Sequence, residues 1–201
     1  LNHSKKVKNN IGFLGTASKD DKEKINKFYK RFENTGSELS HFNLTSNIGG
    51  FDEWLLSKDI VYVGGGNTFY MLEIWKKNNL EQVFKKAYEK GLILSGVSAG
   101  AVCWFDWILS DSMGRGFEPL KGINLTEGSC TPHSDNIERI NEFEFNIKNN
   151  KLPNGVAIDD GVAVVFIDGK PTEVYSSINN HNAYFLDKNT KINLKEYIKN
   201  I

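Results

Sequence analysis

The sequence predicts an α/β fold, a three-layer sandwich whose mostly parallel sheet is covered by helices and carries antiparallel strands at one edge. Three observations support this. Short apolar runs alternate with longer amphipathic segments through the first two thirds of the 201-residue chain, which is the rhythm of βαβ units. Three of those runs stop at glycine-bearing turns, at Gly15, Gly64 and Gly96. The last third changes to short β-rich runs separated by turns.

Residues 11–14 form the first strand, running into the turn Gly15-Thr16-Ala17-Ser18. Residues 20–34 place Ile25, Phe28, Tyr29 and Phe32 on one face of a helix, with Gly36 where that helix stops. Residues 38–44 alternate weakly, as a second strand. Residues 59–63 are a β-rich run ending at Gly64-Gly65-Gly66. Residues 68–78 and 80–90 read as two helices, the second closing at Gly91. A short strand at 92–94 enters Gly96-Val97-Ser98-Ala99-Gly100, which opens a further helix into the apolar stretch 101–108. Residues 135–149 are helical, with Asp135 and Glu138 at capping-box spacing. Strands follow at 156–158, 162–167, 172–175 and 183–186, with Asp168-Gly169 as a hairpin turn. There is no internal repeat and no linker long enough to divide the chain, so 1–201 reads as one domain with residues 1–10 as a flexible tail.

Composition narrows the function. Lys plus Arg is 25 and Asp plus Glu is 25, so the basic excess of a general nucleic-acid binder is missing. No stretch approaches the roughly 20 apolar residues of a membrane helix. The basic N-terminus is not followed by the apolar core of a signal peptide, and the lack of an initiating Met suggests a trimmed start. Two cysteines, Cys103 and Cys130, are too few for a disulfide scaffold and point to a reducing, cytoplasmic setting. No metal-binding cluster or cofactor motif is visible. The glycine loop lacks the Lys of a phosphate-binding loop, and no dinucleotide fingerprint follows it. The expected partner is a small peptide substrate, with neither nucleic acid nor membrane, and the expected assembly is a monomer or homodimer.

The strongest chemical signal is Gly96-Val97-Ser98-Ala99-Gly100 between a strand and a helix. In that context G-x-S-x-G is a nucleophile elbow, in which a tight turn exposes the serine hydroxyl and small flanking residues let strand and helix approach closely. A small-residue turn is the bland alternative. The N–H of Ala99 is placed to face developing negative charge, and the loop Gly64-Gly65-Gly66 is a candidate second donor. Asn67 and Thr68 are candidates to cap the next helix or to touch substrate.

A serine nucleophile needs a base. His3 lies in the tail, His41 in a strand and His181 in a polar turn. His133, in Cys130-Thr131-Pro132-His133-Ser134-Asp135, is the better candidate because the preceding proline fixes its backbone. The carboxylate that orients the imidazole is Asp111, or Asp160 with its neighbour Asp159, and the choice stays open. Asp135, Arg139 and Arg115 are candidate substrate contacts, with surface residues as the alternative.

Val-Gly-Gly-Gly-Asn-Thr-Phe at 63–69, Gly-x-Ser-Ala-Gly-Ala at 96–101 and a Pro-His loop some 35 residues after the serine resemble the dipeptidase E family of aspartyl dipeptidases and the more distant cyanophycinases. The resemblance implies a flavodoxin-like fold related to the class I glutamine amidotransferases, with serine in place of their cysteine. It implies hydrolysis of a peptide bond next to an acidic residue, without metal or organic cofactor. It implies a triad of Ser98, His133 and either Asp111 or Asp160, with an oxyanion hole from Gly65 or Gly66 and Ala99. Two other readings remain. One is an α/β-hydrolase, whose late histidine would be His181. The other is a binding module that keeps the fold without catalysis.

Overall fold

The computed structural model describes residues 3, 4 and 6–199. Of the expected tail, residues 1, 2 and 5 lie outside the described residues. Asn9 is buried and Asn10 already enters the first strand, while Lys6 and Lys8 pair with Asp59 and Glu38. The contacts group into two compact units, residues 1–101 and 102–201.

The first unit contains β1 (Asn10–Leu14), α1 (Lys22–Phe32), β2 (Glu38–Phe42), α2 (Phe51–Leu56), β3 (Ile60–Val63), α3 (Thr68–Lys77), α4 (Leu80–Glu89) and β4 (Ile93–Gly96). It ends within α5 (Ala99–Val102). Its strands form one sheet in the order β2-β1-β3-β4, every pair parallel. The chain steps from β1 to β2 on one side and then to β3 on the other, so the order reverses between β1 and β3. In open α/β sheets, crevices for ligands form at the carboxyl ends of the strands at such a point.

Helix α1 begins where Asp21 accepts the Lys24 N–H at 3.0 Å. Its Ile25 and Phe28 are buried against Ile11, Phe13 and Ile60, and Phe28 stacks on Phe13 at 5.0 Å. Phe28 is 2% exposed, so Phe28→Ala would cost about 3–5 kcal/mol. Helix α2 was not expected from the sequence. It is six residues long and is held by Phe51 and Leu55, both buried, with Phe51 against Phe84.

The second unit contains β5 (Phe105–Ser110), β6 (Glu118–Lys121), β7 (Thr126–Pro132), α6 (Ile137–Lys148), β8 (Gly155–Ile158), β9 (Val162–Ile167), β10 (Lys170–Ser176), β11 (Ala183–Leu186), β12 (Lys191–Asn193) and α7 (Leu194–Lys199). Six strands run in the order β12-β11-β8-β7-β5-β6. The β8-β7-β5 centre is parallel and both flanks are antiparallel. Strands β9 and β10 form a separate hairpin whose turn residues Asp168 and Gly169 have φ of 50° and 76°, the left-handed pair that a tight hairpin requires. Helix α6 packs Ile140, Phe143 and Ile147 against Leu109, Ala157 and Leu186.

A mixed α/β architecture with parallel strands and helices is as expected, but four expectations need correction. The single sheet expected is instead a four-stranded parallel sheet, a six-stranded mixed sheet and the β9–β10 hairpin. Antiparallel strands lie on both edges of the second sheet rather than on one. The helix expected into 101–108 is a single turn, because Phe105 to Ser110 pair as β5; a run rich in Trp, Phe, Ile and Leu suits a pleated surface. The cap of α6 is Asn136, which accepts the Arg139 N–H at 3.1 Å, not Asp135.

Candidate active site

In the first unit, Ser98 follows β4 with φ 52°. For an L-residue this left-handed conformation costs about 1–2 kcal/mol, so the surroundings must enforce it. A Cβ on Gly96 would lie 2.2 Å from the Gly100 carbonyl oxygen, and one on Gly100 would lie 2.1 Å from that of Val63. Only glycine fits at either position, and the turn is thereby pressed onto the end of β3. The Val97 N–H donates to the same Val63 oxygen at 3.1 Å, and the Ala101 N–H turns back to the Ser98 carbonyl at 2.9 Å.

The glycine loop between β3 and α3 borders this turn. A Cβ on Gly65 would stand 3.2 Å from the Ser98 Cβ. Gly66 has φ 151°, and its Cβ would meet the Ala17 carbonyl oxygen at 2.2 Å. The Asn67 N–H donates to that oxygen at 2.8 Å, which closes the loop onto the 3₁₀ turn Thr16–Ser18. Lys24 on α1 donates to the Gly65 carbonyl at 2.8 Å. In a trans peptide, C=O and N–H point opposite ways, so Lys24 also fixes the direction of the Gly66 N–H. No motif announced this lysine. The Asn67 side chain caps α3 by accepting the Tyr70 N–H at 2.7 Å, and Thr68 is buried. Asn67 is the cap of the helix and Thr68 its first residue.

In the second unit, His133 follows β7 and Asp160 follows β8. The two strands are parallel neighbours with Pro132 opposite Ile158, so both residues leave the same sheet edge. His133 Nδ1 donates to Asp160 Oδ1. Since a carboxylate only accepts, the neutral imidazole presents Nε2 as its basic nitrogen. Asp111 is taken up elsewhere, with its Oδ2 3.0 Å from Arg139 Nη2. Arg139 is buried, lies over the Phe117 ring and reaches the Leu109 carbonyl. Of the two acids open at the sequence level, Asp160 is the one bonded to His133. Arg139 is thus a buried guanidinium paired with Asp111 rather than an exposed one.

Asp159 is buried and accepts from Ser134 Oγ at 2.5 Å and from the Asn182 N–H at 2.9 Å. Asp135 accepts the Asp160 N–H at 2.9 Å. That bond is the first reason its carboxyl sits below the usual carboxylate range, against a burial effect that raises it. His181 Nδ1 donates to the Asp160 carbonyl at 2.8 Å. No motif marks Ser134, Asn182 or His181 for these roles, because the contacts join loops far apart in the chain. His41 bonds the Tyr29 hydroxyl at 2.9 Å. Burial pushes both the Cys103 and Cys130 thiols far above their ordinary values.

Left-handed backbone is found at Ser98 and His133 as well. Among the described residues, nine non-glycine residues have left-handed φ, and six of them are Asn or Asp, which tolerate it. The other three are Lys19, Ser98 and His133. Backbone strain of this kind concentrates at functional sites.

Comparison with known proteins identifies the family. The model of peptidase family S51 matches residues 1–174. The uncharacterized peptidase YgaJ of Bacillus subtilis (strain 168) is 36% identical over 189 residues, covering 92% of this chain and 80% of that protein. A crystal structure of a peptidase from an acI-B1 actinobacterium has TM-score 0.67 at 15% identity, covering 92% of this chain and 79% of that one. A crystal structure provisionally assigned to peptidase E, from Listeria monocytogenes EGD-e, has TM-score 0.60 at 20% identity over 96% of this chain and 89% of that one.

Proposed function

The chain belongs to peptidase family S51 and is a serine-type peptidase, and from that premise we propose that it hydrolyses small peptides with Ser98 as nucleophile, His133 as general base and Asp160 as the orienting acid. The observation that carries this is Ser98 held at φ 52° in the turn between Gly96 and Gly100. Ser98 Oγ attacks the scissile carbonyl carbon. His133 Nε2 takes the hydroxyl proton and then gives it to the leaving amine. Asp160 keeps the proton on Nδ1 and stabilises the imidazolium that forms. The N–H groups of Ala99 and of Gly65 or Gly66 receive the developing oxyanion. Water repeats the sequence on the acyl-enzyme. No metal or organic cofactor enters this scheme.

The finer part of the proposal is a preference for an N-terminal aspartate. Arg139 does not support it, since that guanidinium is engaged with Asp111. Arg115, with a side chain 74% exposed and only a 3.8 Å approach to Glu118, is the remaining arginine candidate. A flavodoxin-like relation is part of the same reading, supported by the parallel order β2-β1-β3-β4.

The test is labelling with a fluorophosphonate and mapping of the adduct by mass spectrometry. The expected result is an adduct on Ser98, and turnover in Ser98→Ala and His133→Ala lowered by several orders of magnitude. The double variant should be little worse than either single one, because residues that act as a unit are not additive. S98A retaining most activity would end this reading. Rates for Asp-Leu, Asn-Leu and Ala-Leu decide the aspartate preference separately.

A further inference from the structure

We propose that His181 and Asp135 are positioning residues that act on catalysis through Asp160. The inference rests on the reading of Asp160 as the acid that orients His133. Both backbone groups of Asp160 are held by side chains. Its N–H donates to Asp135 at 2.9 Å, and its carbonyl accepts from His181 Nδ1 at 2.8 Å. The residues on either side are fixed as well. Asp159 is tied to Ser134 and to both backbone groups of Asn182. The Gly161 carbonyl accepts from the Ser177 N–H and from Ser177 Oγ, each at 2.9 Å. Three loops, at 133–136, 159–161 and 177–182, thus converge on the residue that carries the orienting carboxylate.

This arrangement answers a physical problem. The Asp160 side chain is 55% exposed, and an exposed aspartate on a loop samples several rotamers and backbone states. An orienting acid that wanders leaves the imidazole free to rotate. Fixing φ and ψ of residue 160 through its own N–H and C=O restricts where its carboxylate can point. The bond to a carbonyl, which only accepts, also sets the His181 tautomer with hydrogen on Nδ1. His181 is thereby held against the peptide that follows Asp160.

The experiment compares His181→Ala, His181→Gln, Asp135→Ala, Asp135→Asn and Asp160→Ala, each checked for folding by thermal melting. Small-peptide kinetics and the proton NMR resonance of His133 Nδ1–H are both recorded. H181A and D135A should lower kcat about 10–100-fold, the scale for a slightly misplaced catalytic group, with KM within about twofold. H181Q, whose amide still donates, and D135N, whose oxygen still accepts, should recover most of that loss. The Nδ1–H resonance should vanish in D160A and shift or broaden in H181A and D135A. Wild-type kcat with an unmoved resonance in both alanine variants overturns the proposal. Equal losses in the alanine and the conservative variants also overturn it, since that pattern is structural. D160A with wild-type kcat would instead defeat the triad reading, and the resonance in H181A and D135A would still decide whether these side chains hold residue 160.

Discussion

Gly100→Ala separates two physical arguments that predict opposite signs. Gly100 lies in α5 and is not among the left-handed glycines, so helix propensity alone predicts a gain of about 1 kcal/mol. Sterics predict a loss. The new Cβ would lie 2.1 Å from the Val63 oxygen, 2.5 Å from the Val63 carbonyl carbon and 2.8 Å from its Cβ, where a C···O contact needs about 3.3 Å. Val63 cannot retreat, because it pairs with Leu14 on one side and Gly96 on the other. The elbow must therefore lift by about 1 Å, at an overpacking cost of about 1–3 kcal/mol. The lift also weakens the 3.1 Å bond from Val97 to Val63, worth about 1 kcal/mol. The net is a destabilisation of about 1–3 kcal/mol, or ~2–12 °C in Tm for a chain of this size. Displacing Ser98 and the Ala99 N–H by that distance should slow acylation about 100-fold. Urea melts and the rate of fluorophosphonate labelling measure both effects. Gly91→Ala is the control: its φ is 93° with no atom within 4 Å of the added Cβ, so it should lose about 1–2 kcal/mol from backbone strain and label at the wild-type rate. G100A as stable as wild type and labelling as fast would refute the claim that close approach to β3 holds the nucleophile.

Three further outcomes are expected. Arg139→Ala should destabilise by about 2–4 kcal/mol, since it removes a buried stem, a ring contact and the partner of Asp111, while the ratio of kcat/KM for Asp-Leu over Ala-Leu stays within about twofold; a collapsed ratio would restore Arg139 as a substrate contact. Cys103 and Cys130 should resist a maleimide in the folded protein and both react in denaturant, because burial disfavours the thiolate; rapid labelling without denaturant would contradict their burial. Asp135 titrates lower in the folded chain chiefly because it accepts the Asp160 N–H. Such a carboxylate contributes stability that is complete above its unfolded value and is lost as pH falls through the folded one. The Tm gap between wild type and Asp135→Asn should therefore be constant near neutrality and shrink below the ordinary carboxylate range; a gap independent of pH would be wrong for this mechanism.

Elements with a strong local signal were legible. Helix α1 shows its apolar face at Ile25, Phe28, Tyr29 and Phe32, and the β9–β10 hairpin shows Asp168-Gly169. Elements held by pairing alone were not. Strand β6 carries Pro119 and β7 carries Gly128 and Pro132, which in a single sequence read as loop. Proline is tolerated in β6 because it is the edge strand of its sheet, and Pro132 ends β7 beyond the β5 register, which stops at Cys130. Helix α2 and strand β12 are too short to show a period.

The same division runs through the candidate site. The turn at Ser98 was legible because its requirement is local, with two glycines at fixed offsets between a strand and a helix. The choice between Asp111 and Asp160 was not local. Both follow strands that flank β7, since β5 and β8 are its parallel neighbours, so each starts near the edge from which His133 emerges. Arg139 distinguishes them. A guanidinium stays charged at any working pH and matches a carboxylate in a planar fork, and here it holds Asp111 at 3.0 Å from a buried position on α6. No sequence pattern predicts that an arginine three residues into a helix faces inward, because helix position alone suggests a solvated side chain. Once Arg139 is buried, Asp111 must stay with it, since leaving a buried guanidinium without its partner carries a large desolvation penalty. Asp160 has no cationic partner of that kind among the bonds described at its loop; its backbone is held by Asp135 and His181, and its carboxylate is left to the imidazole.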